Sequence, residues 1–183
     1  MINMRLCRLF SLAIAAIVLA SCAPEENPSQ LRVNSDRLER SKKTIVLDKN
    51  FQIATGQTIY VPVYSHIYHQ DEKKVFDLAA TLSLRNTDLD RAIVITSVRY
   101  YDENGKLVRN YLENPIEIAA LSSTDFFVNT TDTSGGSGAK FIVEWVAQTK
   151  VTEPMIEAIM IGSGYQQGIS FVSPGRVIKS QSN

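Results

Sequence analysis

The chain has 183 residues, with 19 Lys and Arg balanced by 19 Asp and Glu. That length suits one domain with its own core rather than two, and a balanced charge without a basic stripe excludes a nucleic-acid partner. Two cysteines, Cys7 and Cys22, exclude a scaffold held by several disulfides.

Residues 1–21 read as a lipoprotein signal peptide. Arg5 and Arg8 supply the positive region, Leu9 to Leu19 a short apolar region, and Ala20-Ser21 the small residues before Cys22. Cys22 is the expected lipidation site. Its thiolate would take a diacylglyceryl group, cleavage would fall between Ser21 and Cys22, and the new amino terminus would be acylated as well. Two or three chains anchor stably where one does not, because each buried methylene contributes roughly 0.8 kcal/mol. A membrane span fits worse: the apolar run is about half of the roughly 20 residues required, and Pro24, Glu25 and Glu26 follow closely. Ala23, where an aspartate retains many lipoproteins in the inner membrane, points to the outer membrane of a two-membrane cell. The expected location is therefore the cell envelope, on the periplasmic side, with the membrane reached through acyl chains. Cleavage removes 21 residues and leaves 162, with 17 basic against 19 acidic residues. Cys7 leaves with the signal, so the mature chain has no internal disulfide.

Residues 22–44 combine the acylated cysteine with a charged, Pro-containing stretch that reads as a flexible linker. A short helix across Asp36 to Lys43, capped by Ser35, is a weaker local pattern within it. From residue 45 to 178 the period becomes two, which predicts a single all-β domain, with residues 179–183 as a tail. Candidate strands are Ile59 to Tyr68, Val75 to Asn86, Ile93 to Tyr101, Leu107 to Leu112, Thr124 to Thr130, Ala139 to Gln148, Met155 to Ile161 and Gly168 to Val172. Their spacing predicts an immunoglobulin-like antiparallel β-sandwich, with a closed β-barrel as the alternative. Asn104-Gly105 is the clearest hairpin turn, since both residues tolerate positive φ. Phe141 to Val146 and Asp125 to Val128 are expected to close the two sheets.

By parity, Ile59, Val61, Val63, Ser65 and Ile67 form a core face, and Tyr60, Pro62, Tyr64, His66 and Tyr68 point the other way. Pro62 cannot donate to a ladder, which predicts an edge strand or a bulge. An edge carrying Tyr60, Tyr64, His66 and Tyr68 is a candidate surface for stacking on a sugar or for pairing with a partner strand. The plain reading is that the tyrosines cover a neighbouring strand. His66 and His69 are the only histidines, but residues three apart on one strand face opposite sides, so no metal site is assigned. Asp132, Thr133, Ser134, Gly135 and Gly136 open a Gly-rich loop whose amides could approach a ligand. No Gly-Lys-Ser or Gly-Lys-Thr follows it, and a plain turn between strands is the competing reading. Trp145 is the expected core anchor, and Glu144 on the opposite face would need a partner such as Arg85 or Arg99 if it pointed inward.

The sequence has no His-Glu-x-x-His, Gly-x-Ser-x-Gly, Cys-x-x-Cys or Rossmann glycine pattern. No catalytic residue and no cofactor is assigned. The segments Gly56 to Tyr68, Leu82 to Asp88 and Asp132 to Trp145, with Ile161-Gly162 and Gly168 to Phe171, closely resemble the bacterial family known as domain of unknown function 3124. The resemblance covers about residues 55 to 178. It implies an envelope protein, often behind a lipoprotein signal, and carries over no catalytic residues because the family has no established activity. The expected function is a lipid-anchored, non-catalytic binding or accessory module for an envelope protein or a glycan. The competing readings are a periplasmic hydrolase and, behind it, a metal-binding protein using His66 and His69.

Overall fold

Along Met155 to Gly164 the buried positions are Ile156, Ala158, Met160 and Gly162, while Met155 and Ile161 face solvent. That alternation of one apolar face and one wet face sets the architecture of the whole domain. The computed structural model describes residues 43–48, 51–164 and 167–182. The chain divides into two compact units, Met1–Asn34 and Ser35–Asn183, and all described residues belong to the second. The signal peptide, Cys22 and the linker through residue 42 lie outside the described residues, as does nearly all of the helical pattern at 36–43.

The described residues contain thirteen strands and no helix. The larger sheet contains β1 (Lys43–Thr44), β8 (Ile116–Ile118), β6 (Ile93–Tyr101), β10 (Lys140–Ala147), β2 (Thr55–Pro62) and β13 (Arg176–Ser182) in that order, with β7 (Leu107–Asn110) also paired to β6. The smaller sheet runs β12 (Gln167–Pro174), β11 (Met155–Gly164), β5 (Ala79–Arg85) and β9 (Ser123–Val128). A separate hairpin pairs β3 (His66–His69) with β4 (Asp71–Asp77). All of the pairings are antiparallel.

One core joins the two large sheets. Val61, Val98, Tyr100, Phe141, Val143 and Trp145 come from the larger sheet and meet Leu82, Leu84, Phe126, Ala158 and Met160 from the smaller. The expected β-sandwich is therefore the fold, and neither sheet closes into a barrel. Trp145 is 1% exposed, and its indole N–H donates to Gln57 Oε1 at 3.3 Å.

Several strand boundaries differ from the sequence pattern, each for a local reason. The run expected from Ile59 to Tyr68 breaks at Val63–Ser65. Val63 N–H still bonds to Ala139 O at 2.9 Å, but Ser65 N–H bonds to Gly136 O at 3.1 Å, and Leu78 N–H bonds to Ser65 O at 2.9 Å. The chain thus leaves the larger sheet to form the β3–β4 hairpin, and at buried Leu78 it enters the smaller one. β2 is interior, between β10 and β13, so the expected edge position is corrected. Pro62 is tolerated because Val63 N–H faces β10, which turns the Pro62 nitrogen to the other side, where β13 pairing has ended at Tyr60. β10 is likewise central rather than a closing strand, whereas β9 is an edge. Residues 179–182, read from sequence as tail, lie in β13, which pairs with β2 through Ser182↔Thr55. At Asn104-Gly105 the hairpin turn is present, but Gly105 alone has positive φ, at 80°, and the Asp102 carboxylate accepts the N–H groups of Asn104 and Lys106.

β12 and β13 are separated by the single residue Gly175, so one nearly continuous strand passes from the smaller sheet to the larger. A Cβ at Gly175 would stand 2.6 Å from Ile156 O and 2.6 Å from Ile59 Cγ2. The crossing is therefore built on a close backbone approach that only glycine permits.

Candidate functional site

The β3–β4 hairpin is regular over His66↔Asp77, Ile67↔Phe76 and Tyr68↔Val75, then slips so that His69 pairs with Asp71. Because paired residues share a face, the hairpin presents two different surfaces. Ile67 and Phe76 point toward the sandwich and pack against its core. Tyr68 and Val75 point away, 56% and 49% exposed, with His66 in edge contact with Tyr68 at a ring distance of 5.7 Å.

Between this hairpin and the β11–β12 hairpin lies a groove of about 560 Å³. One wall is Ile67, His69, Gln70, Lys74 and Phe76, and the other is Gly164, Gly168 and Ile169. Beside the groove the inward row Ile156, Ala158, Met160 continues as Gly162 and Gly164; Phe76 and Leu78 fill the space over Gly162, and Gly164, without a side chain, lines the groove. Phe76 occupies part of that space: a Cβ at Gly162 would fall 2.3 Å from its ring, and one at Gly164 3.2 Å. The His69 ring meets Phe76 edge-on at 6.4 Å. Gln70 has φ of 67°, an uncommon conformation for a residue with a Cβ. Its side-chain oxygen accepts a 2.8 Å hydrogen bond from Lys74 Nζ.

The residues singled out from sequence are distributed over three places. Tyr60 is half-buried on the outer face of the larger sheet, in register between Ile142 and Arg176. Tyr64, 36% exposed, lies at the corner after β2 and packs edge-on against Phe171 at 5.9 Å. Tyr68 is on the hairpin. The single aromatic stripe expected from parity is thus corrected, because the chain turns between Pro62 and His66. His66 and His69 each serve a different aromatic contact, and among the described residues no group of three or more His, Cys, Asp and Glu side chains is arranged to hold a metal ion.

The Asp132 loop comes next to the Ser65 corner, where Ser65 Oγ donates to Gly136 O at 2.8 Å. Its polar groups are engaged within the protein. Asp132 pairs with Arg109 at 3.1 Å and accepts from Ser134 N–H at 3.2 Å and Ser134 Oγ at 2.5 Å. Gly136 N–H bonds to Thr133 O, and Gly135 O accepts from Glu103 N–H. The glycines make close approaches to the protein itself. A Cβ at Gly135 would overlap the Tyr100 hydroxyl at 1.9 Å, and one at Gly136, where φ is 71°, would stand 2.5 Å from Glu103 Oε2. The buried Tyr100 hydroxyl makes no hydrogen bond, although Ser65, whose own proton goes to Gly136 O, lies beside it. Burial, with Asp132 nearby, pushes that phenol up to about 12. Burial likewise raises Tyr111, whose hydroxyl donates to Phe127 O at 3.1 Å. Glu144 pairs with Arg99 at 2.6 Å on the outer face of the larger sheet.

Sequence reasoning missed the groove. The sequence pattern gives His69 a candidate metal role, Ile67 a core role, and Phe76 and Ile169 strand positions, and it does not bring these residues together with Lys74 and Gly164. The signal was present in Gly162-x-Gly164, where glycines take two inward positions of an otherwise apolar row.

Fold and site together define an all-β sandwich with a grooved hairpin at one end. The chain matches the family described as "Protein of unknown function (DUF3124)" over residues 56–178, and it belongs to that family. A search of curated proteins gave no match. Among solved structures, "Crystal Structure of Thermotoga maritima 1070" is similar at 12% identity, over 66% of this chain and 92% of that one, with a TM-score of 0.41.

Proposed function

We propose that this protein is a lipid-anchored binding module of the cell envelope that engages another envelope protein through the β3–β4 hairpin. The observation that carries this reading is the hairpin itself. It is a two-stranded sheet whose outer edges pair with no other strand among the described residues, and it carries exposed Tyr68 and Val75 side by side. An isolated two-stranded ribbon is marginal alone, and unpaired edges with an apolar face are suited to strand addition by a partner. This moves the partner surface from β2, which is interior, to the hairpin that follows it. Among the described residues no carboxylate lines the groove, which favours binding over a hydrolase built on paired acids. In this reading Cys22 carries the acyl chains.

The test is a crosslinking pulldown from intact envelopes, comparing the native chain with a Tyr68→Lys/Val75→Lys double variant. Both residues are exposed, so the variant should fold and melt as the native protein does. A specific partner captured by the native chain and at least tenfold depleted with the variant is the expected result. Equal capture by both would remove the hairpin from the interaction. Labelled palmitate should enter the native protein and be absent from Cys22→Ser; labelling of the variant would remove the anchor from this reading.

A further inference from the structure

The other face of the hairpin carries a second, separate binding property. We propose that the groove between the β3–β4 and β11–β12 hairpins is a site for a small amphiphilic anion, with an apolar or aromatic body and a single carboxylate head. Its volume of about 560 Å³ lies within the roughly 300–1,000 Å³ of small-molecule sites. Its floor is an extension of the core. Ile67 and Phe76 are half-buried and pack against the core cluster, and Ile169 stands opposite them, 40% exposed. An apolar body seated there would cover side chains that the two glycine positions leave open.

The charge at the rim selects the head group. Lys74 is the one ammonium in the lining, no Asp or Glu lines the groove, and none forms an ion pair with Lys74 among the described residues. Its Nζ is held by the neutral Gln70 side chain, which orients the ammonium without neutralising it. A cation beside an apolar floor, with no acid to satisfy it, complements an anion and disfavours an amine of the same shape. Gln70, with its backbone in the left-handed region, and Lys74 both line the groove.

The test uses the full chain in lipid nanodiscs and two probes with matched bodies and opposite charge, 4-phenylbutyrate and 4-phenylbutylamine, titrated calorimetrically. The native protein should bind the carboxylate saturably and at least fivefold more tightly than the amine. Lys74→Gln should weaken carboxylate binding three- to tenfold and bring the two probes within about twofold of each other. Ile169→Ser should weaken both, whereas Lys73→Gln and Ile161→Ser, which lie outside the lining, should change neither. Absence of saturable binding, equal affinity for both probes, or an unchanged preference in Lys74→Gln would overturn the proposal. The hairpin's partner face is tested separately by Tyr68 and Val75, so either idea can fail alone.

Discussion

The Asn86 side-chain amide, 2% exposed, donates to the carbonyls of Arg91, Ile118 and Ala119, and its oxygen accepts from Asp88 N–H. It replaces regular ladder bonds where β5 ends, and it ties that end to β8 and to the approach to β6. Asn86→Ala would leave these carbonyls without their donor in a dry site, at a cost of roughly 2 to 3 kcal/mol, measured by urea unfolding. Tyr100 is the opposite case. Its ring fills the core against Phe141 at 5.0 Å, but its hydroxyl is unpartnered. Tyr100→Phe keeps the packing and removes a desolvated hydroxyl, so stability should hold or rise by up to about 1 kcal/mol. A loss larger than that in the same urea titration would mean that the hydroxyl has a partner. Neither role was legible from residue type, because satisfaction depends on carbonyls that are distant in the chain.

The elements themselves were more legible than their ends. Period two located β6, β10 and β11 closely, because each buries apolar residues along most of its length; the alternation is regular in β11, but it changes parity within β6, where the register with β10 slips beside Glu144 and Trp145. The pattern merged β2 with β3 and β4 with β5, because the apolar alternation runs on through both corners while the hydrogen-bond partners change. β1 and β8, at two and three residues, are too short for any period to register. The second half of β13, residues 179–182, reads as tail since it is polar, and it gains its place through pairing with β2. The candidate site suffered from the same limit: parity separated Tyr60 from the core correctly, yet it could not show that the strand turns before Tyr64. Gly175 is where an element's path hangs on one residue. Gly175→Val would drive a side chain into Ile156 O and Ile59, costing roughly 1 to 3 kcal/mol from overpacking. The urea midpoint should fall, while Ser170→Val on the exposed part of β12 should leave it nearly unchanged.

For the molecule as a whole, Asp88 contributes an acid limit to stability, and the buried phenols Tyr100 and Tyr111 contribute an alkaline one. Asp88 accepts N–H groups from Thr152, Asp90 and Arg91, and these bonds, that from Thr152 foremost, hold its pKa below the usual 3.8. A carboxylate lowered on folding stabilises above its unfolded value, and that contribution is lost as pH falls from about 3.8 through the folded value. Tyr100 works at the other end. With its folded value raised from 10.0 to about 12, its contribution is complete below pH 10 and is lost as pH rises through that window. Melting temperature plotted against pH should therefore be flat between two falling limbs. Asp88→Asn should flatten the acid limb and Tyr100→Phe the alkaline one; unchanged limbs would assign the losses to other groups.

The strand that crosses at Gly175 also has a consequence in time. β2 enters the larger sheet at Thr55, but one of its two neighbours there is β13, the last strand among the described residues. Whether the chain emerges from a ribosome or threads through a pore, amino end first, this flank of the sandwich stays open until β13 is free. Such long-range pairing is slow to form. The edge of β2 that β13 covers is therefore among the last parts of the sandwich to close.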